Sequence, residues 1–223
     1  MNEAANNHRF PVEPEGEPLA PDAAADAAAI EPRKAPRFTL LIRAAKLVTP
    51  QGEFVCVIRD VSETGVSIRL FHDLPGGEPV ELHLPAGNAY ELRNVWLKGR
   101  EAGFEFVETV DVARFINEAG AFPKRGLRLG LCFPVRIASL TQSCEGFVEN
   151  LSQQGARISC DALFAIDQNL RIECTDPEIG FGEVRAKVRW RRDKEYGVVF
   201  DDTTSLSDFA RLAARLQCPD VLD

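Results

Sequence analysis

Apolar and polar side chains alternate through Val66, Ser67, Ile68, Arg69 and Leu70, and the pattern returns ninety residues on. There Ala156, Ile158 and Cys160 alternate in the same phase with Arg157 and Ser159. Val80, Leu82 and Leu84 likewise correspond to Leu170, Ile172 and Cys174, and Trp96, Gly103 and Phe106 recur as Trp190, Gly197 and Phe200, now shifted by 94. A period of two is that of a strand with one buried face. The four extra residues fall between Cys174 and Trp190, where a hairpin loop absorbs them. A spacing shared by separate segments marks two copies of one domain, a unit longer than a solenoid repeat.

In the first copy the pattern predicts strands over residues 38–49, 53–60, 65–71, 79–84, 91–97 and 102–108, with turns at Pro75, Gly76 and Gly77 and at Pro85 and Gly87. Short, evenly spaced, alternating strands suit a small barrel, which removes exposed edges by closing. Each copy ends in an amphipathic helix. In the first, Asp111 caps a helix with Val112, Phe115, Ile116 and Ala119 on its apolar face. In the second, Ser205 and Asp208 form a capping box ahead of Leu206, Phe209, Leu212, Ala213 and Leu216. The segment 120–124, with Pro123, is the expected junction, short enough that the two domains touch. The expected organisation is a tail over 1–30, a first domain over 31–121 and a second over 122–223.

Charge changes the picture only once it is divided. The net charge is −8, but residues 1–31 hold seven acids and one arginine, so about −2 remains for the rest. The tail is rich in Pro, Ala and Glu and is expected to be disordered. A nearly neutral globular part without a long basic stripe argues against a nucleic-acid polymer as partner. No apolar run approaches the ~20 residues that span a bilayer, and the first residues lack the order of a signal peptide, so membrane insertion is not expected and a cytoplasmic location is. The six cysteines form no Cys-x-x-Cys, and the three histidines show no metal-ligand spacing, so no metal or cofactor is expected. No phosphate-binding glycine loop, nucleophile elbow or His-Glu-x-x-His is present, and the chain reads as a non-enzyme. Trp96 and Trp190 are expected to pack in the barrel cores.

The candidate chemistry is doubled too. Arg33 and Arg37 form Arg-x-x-x-Arg, and Asp60, Ser62 and Gly65 follow as Asp-x-Ser-x-x-Gly, 23 residues after Arg37. In the second copy Lys124 and Arg128 precede Asn150, Ser152 and Gly155, 22 residues after Arg128. An arginine fork matches the O6 and N7 acceptors of guanine, clamps phosphate oxygens with two parallel hydrogen bonds and stacks on purine faces. A carboxylate at Asp60 accepts from the guanine N1 and N2 donors. Ser62 donates to a phosphate or holds the turn, and Gly65 provides a positive φ or a close approach. Arg59 and Arg69 flank this set. Lys124 keeps the charge of the first arginine but loses its planar fork, and Asn150 is a neutral acceptor, so the second set is a weaker site.

Arg-x-x-x-Arg ahead of a six-stranded barrel, then Asp/Asn-x-Ser-x-x-Gly, resembles the PilZ domain family, whose members are bacterial receptors for cyclic di-GMP. The resemblance spans residues ~31–119 and ~122–217. It implies two tandem six-stranded antiparallel β-barrels, each followed by a short helix. It also implies a ligand, cyclic di-GMP, held by Arg33, Arg37, Asp60, Ser62 and Gly65. Lys124, Arg128, Asn150, Ser152 and Gly155 would form the second, weaker site. The signal would pass by reorienting the N-terminal segment, the second domain or a protein partner. A homodimer stays open, as does a ligand-independent tandem adaptor working through protein contacts.

Overall fold

The computed structural model describes residues 38–85, 87–117 and 126–222. The first barrel is built from β1 (Phe38–Thr49), β2 (Gly52–Val61), β3 (Gly65–Leu70), β4 (Val80–His83), β5 (Ala89–Lys98) and β6 (Glu101–Phe106). All pairings are antiparallel, and the ring closes in the order β1-β2-β3-β6-β5-β4. The strands stand where the alternation predicts them, with ends displaced by at most two residues. The inward set, including Val66, Ile68, Leu70, Leu82 and Phe106, is buried as the pattern demands.

After the first barrel comes α1 (Val112–Ile116). Asp111 caps it, accepting from the Arg114 backbone N–H at 3.0 Å. At its other end Arg43 Nη1 donates to the carbonyls of Phe115 and Ile116 at 2.6 and 2.9 Å, satisfying acceptors that a helix end leaves open. Phe115 is fully buried under the barrel. Ala119 and the expected junction at 120–124 lie outside the described residues.

The second barrel opens with a short strand, β7 (Arg128–Leu129), followed by β8 (Phe133–Ala138), β9 (Ser143–Ser152), β10 (Gly155–Cys160), β11 (Asn169–Cys174), β12 (Val184–Arg192) and β13 (Glu195–Phe200). Strands β8 to β13 form the ring, β9 pairing with β10 and β11 with β8, while β7 adds to β9. The terminal helix α2 (Leu206–Gln217) begins at the predicted capping box: the Asp208 N–H donates to Ser205 Oγ at 3.1 Å, and Ser205 Oγ donates to the Asp208 carboxylate at 2.6 Å. No helix among the described residues is long and apolar enough to cross a membrane.

Strand β2 departs from alternation at Phe54, Val55 and Cys56, all fully buried. Phe54 and Cys56 belong to the first core, whereas Val55 points the other way, into the second. Helix α2 packs on that outer face of β2. Its Phe209, Ala210, Leu212 and Ala213 join the second core, and Ala214 joins the first, as does Val221 just beyond the helix. The Gln217 amide clasps the Glu53 backbone, accepting from its N–H at 2.8 Å and donating to its carbonyl at 2.7 Å. The Glu53 carboxylate accepts from the Gly130 N–H and from Lys46 Nζ, both at 2.7 Å. The expectation that the domains touch is thus met by a shared helix and one residue, Glu53, bonded on all sides.

Candidate functional site

The hairpin between β2 and β3 carries the motif. At its turn the Ser62 N–H donates to the Gly65 carbonyl at 2.8 Å, and Ser62 Oγ donates to the same carbonyl at 3.3 Å. Ser62 is buried, so its hydroxyl holds the turn. The turn is then fastened to the end of the neighbouring strand β6 and the segment after it: Phe106 N–H donates to the Thr64 carbonyl and Val110 N–H to that of Glu63, both at 2.9 Å. The second copy repeats this with Ser152 Oγ on the Gly155 carbonyl at 2.9 Å, Phe200 N–H on Gln154 at 2.8 Å and Thr204 N–H on Gln153 at 2.9 Å.

The glycines do not adopt a positive φ. A Cβ on Gly65 would stand 2.8 Å from the Phe104 carbonyl oxygen, and one on Gly155 would stand 2.2 Å from that of Val198. The close approach is that of the neighbouring strand.

Asp60 lies near the end of β2. The register passes from Ile58↔Ile68 to Asp60↔Ser67, so Arg59 is the extra residue of a bulge and stands exposed. Ser67 Oγ donates to Asp60 Oδ2 at 2.5 Å and fixes the carboxylate on the outer face. Ser67 pairs in turn with Gly103 of β6, and Gly103 with Trp96 of β5. The result is a row across four strands: Asp60, Ser67, Gly103, Trp96. Arg69, exposed on β3, flanks it.

Here the structure corrects the sequence reading of the tryptophans. Trp96 is 38% exposed and Trp190 41%, each laid on the outer face over a glycine. A Cβ on Gly103 or Gly197 would fall within van der Waals contact of the indole, 1.9 Å from Nε1 in both cases. A bulge lies between Asn94 and Trp96 and another between Val188 and Trp190, each reversing the inward-outward phase of its strand. Simple alternation counts through such a bulge and lands on the wrong face.

The second copy has the row Asn150, Arg157, Gly197, Trp190. Arg157 replaces Ser67. Glu149 takes the bulge position of Arg59 and accepts from Ser159 Oγ at 2.7 Å, where the first copy has Arg69. Arg157 Nη1 is 3.8 Å from Glu195, and its Nε is buried without a partner. The surroundings of Asn150 have therefore exchanged one cation for an acid and filled the middle of the row with a long side chain. Arg128 of β7 is exposed and pairs in register with Ser152, which brings it beside the second turn. Arg33, Arg37 and Lys124 lie outside the described residues. β1 enters at Phe38 opposite Val61, so Arg37 directly precedes, in sequence, a residue paired with the motif strand.

Two segments of the chain, residues 31–117 and 124–216, match the PilZ domain model. The chain belongs to the PilZ domain family. This tandem PilZ chain is similar in structure to the Borreliella burgdorferi PlzA protein in complex with c-di-GMP, at 12% identity over 79% of this chain and 88% of that one, with a TM-score of 0.34. It is similar to the Bacillus subtilis inhibitor of motility MotI/DgrA at 15% identity over 80% and 95%, TM-score 0.32. It is also similar to Escherichia coli YcgR in complex with c-di-GMP, at 10% over 78% and 81%, TM-score 0.28. Comparison with curated protein sequences found no match. The family assignment rests on the two domain matches.

Proposed function

We propose that this tandem PilZ protein is a cyclic di-GMP receptor, an effector without catalytic activity, whose first barrel carries the ligand. The observation that supports this most is the outer-face row of the first barrel: Asp60 fixed by Ser67, flanked by Arg59 and Arg69, next to a strand that Arg33 and Arg37 precede. In this reading Arg33 and Arg37 close over the dinucleotide and clamp its phosphates and guanine edges. Asp60 accepts from guanine N1 and N2. Ser62 and Gly65 act through the turn that presents Asp60. Trp96, three strands away at about 14 Å from strand spacing alone, offers a half-exposed indole on which a second base stacks.

The second barrel is assigned a structural or partner-binding role, because Arg157 and Glu149 replace Ser67 and Arg59 beside Asn150. Binding would draw the segment before β1 onto the barrel. The signal has a route along β2, whose two ends carry Asp60 and the Glu53 clasp to the second barrel.

Calorimetric titration of cyclic di-GMP into the full chain and into Arg37→Ala, Asp60→Ala and Arg128→Ala tests the reading. Binding is expected to fall at least tenfold in the first two variants and to persist in the third. Loss only in Arg128→Ala would move the site to the second barrel. No binding to the unaltered chain would reject the receptor reading in favour of a ligand-independent adaptor.

A further inference from the structure

We propose that this chain pairs with a second copy of itself through oppositely charged, homologous residue pairs on its two barrels. On the outer face of the first barrel Glu81 of β4 and Glu91 of β5 are directly cross-strand neighbours. The internal repeat carries these positions to Arg171 of β11 and Arg185 of β12, ninety and 94 residues on, and those two are again direct cross-strand neighbours. The same spot therefore holds two carboxylates on one barrel and two guanidiniums on the other.

Like charges directly opposite each other destabilise a sheet. Each barrel carries that cost at the same place with opposite sign, and docking one face on the other relieves both. The faces are open: Glu91 and Arg185 are exposed, and the side chains of Glu81 and Arg171 are 43% and 64% exposed. Among the described residues each charged pair has only peripheral partners. Glu81 meets His83 at 2.6 Å and Arg171 meets Glu183 at 3.7 Å, both at the surface, where such pairs contribute little.

Both charged pairs border hollows. Glu91 borders a hollow of about 480 Å³ whose charged lining among the described residues is Glu91, Glu108, Asp111 and Arg114, with exposed Val107 at its wall. On the second barrel Arg185 lies between two hollows of about 440 Å³ each. Glu183, Asp201 and Asp202 line these as well, so the two arginines stand paired among acids. Leu140, fully exposed, stands on the rim beside Arg171 and Arg185. Each copy carries one charged pair of each sign. Two copies meeting reciprocally make the contact twice, an isologous two-fold arrangement.

Sedimentation velocity on the full chain without nucleotide, at low and high salt, gives the first test. Association that weakens with salt is expected. Glu81→Arg/Glu91→Arg and Arg171→Glu/Arg185→Glu should each be monomeric alone, and an equimolar mixture of the two should associate again, since one then offers only basic faces and the other only acidic ones. The exposed positions leave folding intact, and restored association in the mixture proves it. A wild-type chain that stays monomeric at low salt overturns the proposal. So does association that survives in both variants, or a mixture that remains monomeric. None of these outcomes depends on whether the first barrel binds cyclic di-GMP.

Discussion

Gly65 and Gly155 each face a backbone carbonyl of the next strand at a distance that a methyl group cannot share. Alanine at either place must push β3 from β6, or β10 from β13. The expected loss is about 1–3 kcal/mol, the range for overpacking, and Gly155→Ala should exceed Gly65→Ala because its carbonyl is closer. At ~2–4 °C per kcal/mol for a chain of this size, thermal unfolding should show drops of roughly 2–12 °C. An unchanged melting temperature in both variants would refute the close-approach explanation. The need for glycine was legible from spacing alone, but its cause was not, because the carbonyl belongs to a strand some forty residues away in sequence. The motif serine is a parallel case. Its position was readable, whereas its burial against the turn carbonyl appears only when the hairpin is closed.

At the scale of elements, the segment leaving β3 shows what local pattern conceals. His72 is 1% exposed, 5.2 Å from the Phe54 ring, with Nδ1 2.7 Å from the Asp73 carbonyl, to which it donates. Its Nε2 is buried without a partner. Burial lowers its pKa from the ordinary value of about 6.5 and outweighs the opposing hydrogen bond to the Asp73 carbonyl, while the nearby Arg100 lowers it further. The unfolded chain therefore takes up a proton before the folded one does. The contribution of a neutral His72 is complete above pH ~6.5 and is lost progressively as pH falls below that value toward the lowered one. Urea midpoints measured at pH 7.5 and 5.5 should fall more for the wild type than for His72→Phe, which keeps the ring contact with Phe54 and removes the titration. Equal falls would refute the assignment. In sequence His72 was only a histidine without a metal partner. The bulges at Val95 and Arg189 are similar: each adds one residue to a strand and turns a tryptophan outward, and a period-two count has no way to register the addition.

Across the whole molecule the repeat predicts two equal barrels, and the alternation places nearly every core residue correctly. The coupling between the barrels was invisible, since it depends on Val55 pointing away from its own barrel and on α2 supplying Ala214 to the first core while four neighbours serve the second. Glu53 and Gln217 are 164 residues apart and carry no motif. A helix that completes both cores makes independent unfolding of either barrel costly, because whichever opens first exposes the apolar face of α2 and the unpaired Glu53 backbone. The full chain should therefore unfold in one calorimetric transition, with van't Hoff and calorimetric enthalpies in agreement. Gln217→Ala removes two hydrogen bonds to the Glu53 backbone, worth about 1–3 kcal/mol together at ~0.5–1.5 each. It should broaden that transition or split it, with the first barrel melting earlier. Two resolved transitions in the unaltered chain would show that the barrels are stable separately and that the clasp only positions them. A signal arriving at Asp60 would then have no rigid path to the second barrel.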